Sequence, residues 1–428
     1  MAPSPRAFLE SLYRTAVAAA HPSSFSAHWP EPSTGKLIIL AAGKAAGSMT
    51  EAAEQHYLDA LKMPANRLTG VAVARHGYGR PTHIVKMIEA GHPIPDAAGL
   101  EAADRALKLA DSAGSDDLVL VLMSGGASAN WIAPASGLSF ADKQAVTRAL
   151  LRSGANIGEI NTVRKHLSRI KGGRLARHAY PSRLVTLAIS DVPGDDPSAI
   201  GSGPTVPDPT TLANARAIVA RYKLDLPGAV GRALNDPHNE SPKPGDAVFT
   251  ESRFIIAARP ADAIKAAEQA VRAAGYDCVA LGADLEGEAR DVAAEHARLA
   301  RELQAQGKRT VILSGGELTV TIRGKGRGGP NQEYALALGL ALDGTSGISA
   351  LAADTDGTDG GAGSASDPAG AYAASDTVTR AKALGLDTAA FLADNNSTGF
   401  FTKTGDLLMT GPTYTNVNDF RAIVVDTA

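Results

Sequence analysis

Cysteine and an excess of charge of either sign are almost absent from this 428-residue sequence. Its one cysteine, Cys278, excludes an intramolecular disulfide and a thiolate metal cluster. Lys and Arg number 42 against 45 Asp and Glu, so no global basic field indicates a nucleic-acid partner. No apolar run reaches membrane-spanning length, and Arg6, Glu10 and Arg14 interrupt any signal-peptide core. We therefore expect a cytoplasmic protein that binds neither nucleic acid nor membranes.

The length and the order of sequence patterns predict two domains of the α/β class. Hydrophobic residues make up 44% and charged residues 20%, as in globular proteins, and the chain is longer than one core usually supports. Residues 235–246 contain three prolines and lack periodicity, so we place the boundary there, between domains 1–238 and 239–428. Short apolar strands alternating with helical segments predict two three-layer α/β/α domains with mostly parallel sheets and an interdomain cleft.

A basic glycine loop lies within residues 310–340, after two short strands and before a helix. Arg323, Lys325 and Arg327 alternate with glycines, and Pro330 occupies a plausible first helical position. Glycines let backbone N–H groups approach an anion, while the helix N-terminus and the basic side chains neutralise its charge. The loop therefore predicts a phosphate site.

Two other interpretations of this loop remain open. Gly324, Gly326 and Gly329 match G-x-G-x-x-G between a strand and a helix, which is the fingerprint of nicotinamide dinucleotide sites. The loop could also be a solvated basic hairpin with flexible glycines.

Polar residues follow three apolar strands in the first half of the chain. Lys44 follows strand 36–42, where open α/β sheets bind ligands, and Ser124-Gly125-Gly126 follows strand 118–123. Asp191 follows strand 184–189, where a carboxylate can hold Mg²⁺ or accept a hydroxyl proton.

An acidic turn follows the strand at 348–353 in the second half. Asp354, Asp356 and Asp359 lie within six residues, which predicts a cation site. The EF-hand spacing is absent, and Mg²⁺ fits better than Ca²⁺ if a phosphate is also bound. An ordinary Asp-Gly turn is the alternative.

Taken together, these loops resemble the glycerate 2-kinase family, whose carboxy-terminal half is known as the MOFRL domain. The resemblance extends over nearly the whole chain in family order, at residues 43–45, 123–126, 161–166, 190–195, 202–205, 314–317, 324–333, 355–360, 410–413 and 415–419. It implies ATP- and Mg²⁺-dependent phosphorylation of D-glycerate at its 2-hydroxyl. It also implies that domain 1–238 is Rossmann-like and that domain 239–428 is of the MOFRL type.

The resemblance and the chemistry of phosphoryl transfer together assign roles to residues. Lys44 and Arg327 would stabilise the transferring phosphoryl group, and Asp191 would orient and deprotonate the substrate hydroxyl. Many family members carry Arg at the position of Pro330, so the cationic role falls on Arg327. The metal is expected at Asp354, Asp356 and Asp359, although these carboxylates and Asp191 could exchange roles. Substrate and ATP are expected to contact Ser124, Gly125, Gly126, Arg164, Gly315, Gly316, Glu317, Gly326, Gly328, Asn331, Gln332 and Asn416.

Two rival functions remain at the level of sequence. Some relatives carry the name hydroxypyruvate reductase, which would make the protein an NAD(P)H-dependent oxidoreductase. A non-catalytic sensor of sugar acids or nucleotides is the other, and the density of Lys, Arg and Asp at strand ends argues against it. The partners expected are a nucleotide and a small 2-hydroxy acid, in a monomer or homodimer.

Overall fold

The protein is described here from a computed structural model that covers residues 4–361 and 363–426. The chain divides into two compact units, each described separately. The central unit is Phe25–Ala257. The terminal unit combines the described residues up to Ser24, including helix α1 (Pro5–Ala20), with those from Ala258 onward.

A six-stranded sheet forms the core of the central unit. Its strands are β1 (Leu37–Ala42), β2 (Leu68–Arg75), β3 (Lys86–Ala90), β4 (Leu118–Met123), β5 (Arg183–Ile189) and β6 (Ser252–Ala258). The spatial order is β3-β2-β1-β4-β5-β6, and the pairs among β1 to β5 are parallel, as the sequence predicts. Doubly wound dinucleotide-binding folds have this order, and they bind ligands beyond the carboxyl ends of the strands where the order reverses. That point lies here between β1 and β4.

Strands β1 and β4 are buried along their whole length, which explains their continuous apolar sequences. The helices of this unit are α2 (Ala46–Glu54), α3 (Ala97–Asp111), α4 (Ala127–Asn130), α5 (Phe140–Arg152), α6 (Ile157–His166), α7 (Arg174–Ala179), α8 (Leu212–Arg221) and α9 (Gly228–Asn235). Residues of α3 and α7 pack with β1, β2 and β4 in one hydrophobic core.

A second core of the central unit joins α5, α6, α8 and α9. Val146, Leu150, Ile160 and Val163 contribute the apolar faces of α5 and α6. Both helices begin with a capping box, in which the side chain at the N-cap and the acidic side chain three residues later satisfy each other's backbone N–H groups. Helix α5 carries Lys143 and helix α6 carries Arg164, two of the three cations described below.

A second six-stranded sheet forms the core of the terminal unit. Its strands are β7 (Asp277–Ala280), β9 (Thr310–Ser314), β11 (Ile348–Asp354), β12 (Gly370–Ala374), β13 (Leu407–Leu408) and β14 (Asp419–Val425), in the order β13-β12-β11-β14-β9-β7. Strands β8 (Glu286–Glu288) and β10 (Glu317–Thr319) form a separate parallel pair. In the six-stranded sheet only β7 and β9 pair in parallel, and the other four pairs are antiparallel.

The expectation of a mostly parallel sheet therefore holds for the central unit but not for the second sheet. The predicted β-α-β-α alternation is present from β6 to α11, but β11 and β12 are then joined by a loop without a crossover helix. Such a connection favours antiparallel pairing.

Helices cover the second sheet and bring the start of the chain into the terminal unit. They are α1, α10 (Pro260–Ala273), α11 (Ala289–Ala305), α12 (Pro330–Ala341), α13 (Thr377–Ala383), α14 (Thr388–Ala393) and α15 (Ser397–Thr404). Helix α1 packs on α10, β11 and β14, and the Tyr13 hydroxyl donates a 2.9 Å hydrogen bond to the Asp354 carbonyl. The units therefore differ from the predicted domains 1–238 and 239–428, because α1 packs in the terminal unit and β6 extends the first sheet.

Shorter helical turns and two boundary shifts complete the description. Helix α2 continues as a π-helix at Gln55–Ala60, and 3₁₀ turns occupy Pro22–Ala27, Ala65–Arg67, Pro193–Asp195, Ile200–Ser202, Pro237–Asn239 and Ala247–Phe249. The alternation of apolar residues and threonine at 318–322 predicts a strand, which ends at Thr319. The helical segment that the sequence predicts from Glu286 begins at Ala289. No helix in the described ranges is both long enough and apolar enough to cross a membrane.

Leu120 in β4 is fully buried, so its truncation tests the central core. Leu120→Ala should lower the free energy of unfolding by about 2–5 kcal/mol, because the site loses both transfer energy and packing contacts. Leu61→Ala removes a 45% exposed side chain from the same unit and should change it by less than about 0.5 kcal/mol. Urea unfolding followed by circular dichroism measures both values, and equal losses would contradict the assigned core.

Candidate active site

The loops after β1 and β4 are joined by direct hydrogen bonds. The Lys44 backbone N–H donates to the Gly125 carbonyl at 2.8 Å, and the Ala45 N–H donates to Ser124 Oγ at 2.9 Å. Gly43 has φ +120°, and a Cβ there would lie 2.4 Å from Ser124 Oγ. A glycine is therefore required at position 43, and the half-buried Lys44 is placed where the strand order reverses.

Gly126 keeps a space open beside Lys44. It has φ +86°, and a Cβ there would lie 2.9 Å from the His92 ring and 3.5 Å from Lys44 Cγ. His92, Gly126 and Lys44 are thus immediate neighbours, and a side chain at position 126 would fill the gap between the other two.

Asp191 lies at the same edge of the sheet. It follows β5, which pairs in parallel with β4, and its side chain is half-buried. Neighbouring strands lie about 4.8 Å apart, so two strand spacings, about 10 Å, separate the ends of β1 and β5. The structure thus brings Lys44, Ser124 and Asp191 to one edge, as their positions after apolar strands predict.

Three cations cluster around Ser128, just after the glycine turn. Arg164 Nη2 donates to Ser128 Oγ at 2.7 Å, and Lys171 Nζ donates to the same oxygen at 3.0 Å and to the Ser128 carbonyl at 2.8 Å. Lys143 Nζ donates to the carbonyls of Arg164 and Leu167, both at 3.0 Å. Within the described ranges, neither lysine pairs with a carboxylate.

Burial disfavours the charged form of the cations in this cluster. Lys143 and Lys171 are almost fully buried. Desolvation, followed by the nearby positive charge of Arg164, holds the pKa of both lysines well below the usual value. Desolvation also lowers the pKa of Arg164, whose buried Nε has no hydrogen-bond partner in the part of the chain described. A bound anion would stabilise all three charges.

A buried ionic network organises the terminal unit. Arg421 Nη1 donates to Asp419 Oδ2 at 2.9 Å, and its Nε donates to Ser314 Oγ at 3.2 Å. Its Nη2 donates to the Gly315 carbonyl. Asn331 Nδ2 donates to Asp419 Oδ1 at 2.6 Å, which connects the start of α12 to the turn after β9.

Asp359 caps helix α12. Its carboxylate accepts hydrogen bonds from the backbone N–H groups of Asn331 at 3.0 Å and Gln332 at 2.8 Å, and from both amide side chains. Burial raises the pKa of Asp359 to about 7, against the lowering effect of these donors, and the Asp419 carboxylate raises it further. The Asp359 carboxyl thus caps the N-terminus of α12, and its predicted contact with a metal stays a prediction.

The metal site predicted from Asp354, Asp356 and Asp359 is not assembled. Residues 4–361 and 363–426 contain no group of three His, Cys, Asp or Glu side chains that could hold a metal ion. Asp354 Oδ1 accepts from the Asp356 N–H, and Asp356 Oδ1 accepts from the N–H and hydroxyl of Thr358. These contacts are those of an Asx turn, the alternative that the sequence left open.

The basic glycine loop packs against the segment between α14 and α15. A Cβ at Gly326 would lie 2.3 Å from Asn396, and one at Gly328 would lie 2.1 Å from Ser397 Oγ. Close packing thus requires a glycine at both positions, and their predicted contact with ATP stays a prediction. The Arg327 side chain is 69% exposed and lies 3.7 Å from an Asp367 oxygen.

Of the other predicted binding residues of this unit, Gly315 and Gly316 form the turn after β9 and Glu317 begins β10. Gly316 has φ +94° and packs on the backbone of Leu285, and its carbonyl accepts from the Asp419 N–H at 3.0 Å. Glu317 is exposed, whereas Asn416 is buried.

Comparison with known proteins gives two family matches and a set of full-length relatives. Residues 8–235 match a family model described as a domain of unknown function (DUF4147), and residues 310–419 match the MOFRL family. A glycerate 2-kinase of Pyrococcus horikoshii is 40% identical over 91% of this chain and 88% of its own length. The crystal structure of a glycerate kinase from Thermotoga maritima covers 99% of both chains, with 33% identity and a TM-score of 0.87. This chain belongs to the glycerate 2-kinase family.

A different name also occurs in this family. A protein of Agrobacterium vitis, 46% identical over 99% of this chain and 95% of its own length, is provisionally named a hydroxypyruvate reductase. The resemblance to glycerate 2-kinases inferred from the loop motifs is confirmed. The second name, hydroxypyruvate reductase, also occurs among the relatives.

Sequence reasoning missed several buried charged residues in each of the two units of this glycerate 2-kinase family member. Asp419 ends a polar run and Arg421 precedes an apolar one, and neither pattern indicates that their charges are buried. Lys143 lies in an ordinary amphipathic helix, and Lys171 lies in a basic run that is usually solvent-exposed. A charged residue on the apolar face of α5 was the only available signal, and it applies to Lys143 alone.

The raised pKa of Asp359 gives a pH-dependent stability that can be measured. The folded chain binds the proton up to about pH 7, whereas an unfolded Asp releases it near pH 4. The contribution of the protonated carboxyl is therefore complete below about pH 4 and is lost as the pH rises to 7. Asp359→Asn removes this ionisation. The free energy of unfolding of the variant should therefore fall less than that of the wild-type protein as the pH rises from 5 to 7.5.

Urea unfolding at the two pH values tests this prediction. The matched control is Asp291→Asn, which changes an exposed carboxylate of the same unit and should retain the wild-type slope. An unchanged slope in Asp359→Asn would show that Asp359 is ionised throughout this range.

Proposed function

We propose that this chain transfers the γ-phosphoryl group of ATP to the 2-hydroxyl of D-glycerate, giving 2-phosphoglycerate and ADP. The observation that carries the proposal is the cation-lined edge of the central sheet, where Lys44, Arg164 and two buried lysines meet a glycine turn, in a member of the glycerate 2-kinase family. Such an edge can bind anionic substrates and stabilise the charge of a transferring phosphoryl group.

The residues of the central unit can account for the chemical step. Asp191 would accept the proton of the 2-hydroxyl while the hydroxyl oxygen forms its bond to the γ-phosphorus. The bond from that phosphorus to the bridging oxygen breaks, and its electron pair leaves with ADP. Lys44 would stabilise the charge on the transferring group, and Arg164 or the N–H groups of Ser124–Gly126 would bind the glycerate carboxylate. In the terminal unit, Arg327 keeps its predicted role as a second cation.

Mg²⁺ enters this proposal as part of the nucleotide substrate. Kinase Mg²⁺ is usually held by substrate phosphates with only one or two carboxylates, so a preformed cluster of three ligands is not required. When bound, the ion would neutralise charge on the phosphates. Asp356 and Asp354 remain the candidates to contact it, whereas Asp359 is occupied at the start of α12.

Reduction of hydroxypyruvate with NAD(P)H is the second candidate function. The strand order of the central sheet and the name of the Agrobacterium vitis relative favour it. The G-x-G-x-x-G match does not, because Gly324 and Gly326 pack on residues 394–396. The kinase names in archaeal, bacterial and mammalian relatives give phosphoryl transfer more support.

The reaction itself is the first test. Incubation with ATP, Mg²⁺ and D-glycerate should release ADP and give 2-phosphoglycerate, identified by phosphorus NMR, and a chelator should stop the reaction. L-Glycerate serves as the stereochemical control. Phosphorylation at the 3-position, or oxidation of NADH by hydroxypyruvate without any use of ATP, would overturn the proposal.

Substitutions at Lys44 and Asp191 should impair catalysis in different ways. Lys44→Ala should lower kcat by roughly 10²–10³, because one preorganised electrostatic contact with the transferring group is lost, while KM for D-glycerate changes little. The control Lys36→Ala removes an exposed lysine at the opposite end of β1 and should retain wild-type kcat.

Asp191→Asn should lower kcat by about 10²–10⁴, because the proton acceptor is lost. The rise of kcat with pH through the titration of the carboxylate should disappear as well. Asp225→Asn, an exposed control in the same unit, should leave both properties unchanged. Recovery of the Asp191→Asn rate at high Mg²⁺ would instead make Asp191 a metal ligand.

A further inference from the structure

A cavity of about 470 Å³ opens beside the glycine turn of the central unit. Gly126, His92 and Arg164 lie at one end, next to the neighbours of Lys44. Side chains of the loop 93–95 and of helices α5 and α6 form the rest of the wall. The cavity thus continues from the candidate site into an apolar region that the proposed chemistry has not used.

The size of the cavity exceeds what a three-carbon acid can fill. Sites of about 300–1,000 Å³ suit ligands of the size of drugs or cofactors. Glycerate also carries no apolar group larger than a methylene, so an apolar wall would contribute little to its binding. A second, larger and flatter group fits the apolar part better.

Large exposed hydrophobic residues surround the mouth of this cavity. Ile94, Leu151 and Ile157 are 75%, 68% and 68% exposed, and they come from the loop 93–95, α5 and α6 respectively. Single exposed apolar residues are ordinary, but three from separate elements around one cavity form a patch, and such patches mark binding sites. An aromatic base placed among them would remove this surface from water.

The opposite end of the cavity is cationic. Arg164 contributes a buried Nε that has no hydrogen-bond partner within residues 4–361 and 363–426, and Lys143 lines the same wall. An apolar pocket that becomes cationic at one end has the complementary pattern of a nucleotide, which carries a flat base at one end and phosphates at the other.

We propose that this cavity binds the adenosine moiety of the nucleotide, with the base among Ile94, Leu151 and Ile157 and the phosphates extending past Gly126 toward Lys44. The position agrees with the strand order, since ligands of such sheets bind where the order reverses. The identity of the nucleotide as ATP rests on the proposed kinase function. The adenosine half of NADH has the same chemistry and is separated by experiment.

Gln144 is the residue that would select adenine. It lines the cavity on the same face of α5 as Thr147 and Arg148, and its side chain makes no hydrogen bond within the described part of the chain. A Gln amide can donate to and accept from the edge of adenine at the same time, and guanine presents the reverse pattern at its 6-position. Gln144 would therefore discriminate ATP from GTP.

The decisive experiment places a charge at the cavity mouth. Ile157→Asp should raise the dissociation constant of the full-length protein for ADP, measured by titration calorimetry, by about tenfold or more, because a carboxylate would be desolvated against the base. KM for D-glycerate should remain within about twofold. Leu61→Asp makes the same change at an exposed leucine outside the cavity and should leave ADP binding unaltered.

Base selectivity gives a second and milder test. Gln144→Leu should reduce the ratio of kcat/KM for ATP to that for GTP by about tenfold, the discrimination expected of one bidentate contact. This variant alters only a partly exposed side chain, so it keeps the proposal testable if Ile157→Asp does not fold. An unchanged ratio together with unchanged ADP affinity in Ile157→Asp would overturn the proposal. An increase confined to KM for D-glycerate would overturn it as well, by assigning the cavity to the acceptor.

The outcomes also separate this proposal from the kinase function. If the protein phosphorylates D-glycerate but neither substitution alters nucleotide binding, the adenosine cavity is refuted and the kinase function stands. Sensitive ADP binding in a protein that never phosphorylates D-glycerate refutes the kinase function alone. If NADH binds and is weakened by Ile157→Asp while ADP does not bind, the cavity holds adenosine but belongs to an oxidoreductase, and its assignment to ATP is overturned.

Discussion

Two hydrogen bonds from the loop after β1 to the turn after β4 fix the geometry of the central unit. They come from the backbone N–H groups of Lys44 and Ala45, so main-chain hydrogen bonds hold the backbone at Lys44 in place. Gly43 allows the close approach and Gly126 keeps the adjacent space open. Because the acceptors directly follow the buried parallel strand β4, the lysine is attached to a rigid element of the fold.

Around this point Lys143, Lys171 and Arg164 place positive charge in the central unit, with no carboxylate partner among the described residues. Carbonyl and hydroxyl oxygens orient Lys143, Lys171 and Arg164, but dipoles compensate a buried charge only in part. The remaining field favours anions, which both the acceptor and the nucleotide of a glycerate 2-kinase carry. Burial of these cations lowers stability, and a bound phosphate or carboxylate group would offset that loss.

In the terminal unit, by contrast, a buried positive charge is paired with a carboxylate. Arg421 is buried and joins Asp419 to the turn after β9, while Asn331 and Asp359 join the same region to the start of α12. Removing one partner of such a network would leave an uncompensated buried charge, which is strongly destabilising. The match to the MOFRL family runs from β9 to Asp419 and so contains most of this network. Its acidic residues act mainly as helix caps and ion-pair partners, which explains why three nearby carboxylates do not form a metal cluster.

The sequence by itself determined the α/β class, most strand positions and the candidates at strand ends, because these depend on local periodicity and on turn residues. Lys44, Ser124 and Asp191 could be selected in this way, since the carboxyl ends of adjacent parallel strands meet at one edge. Tertiary structure alone decided the antiparallel pairing of β11 with β12 and β14, the packing of α1 in the terminal unit and the burial of Lys143, Lys171 and Arg421. It also decided that Asp359 caps a helix and that Gly326 and Gly328 serve packing. Burial and pairing are set by residues distant in sequence, here 88 positions apart for Asn331 and Asp419 and 107 for Ser314 and Arg421, and no local pattern carries that information.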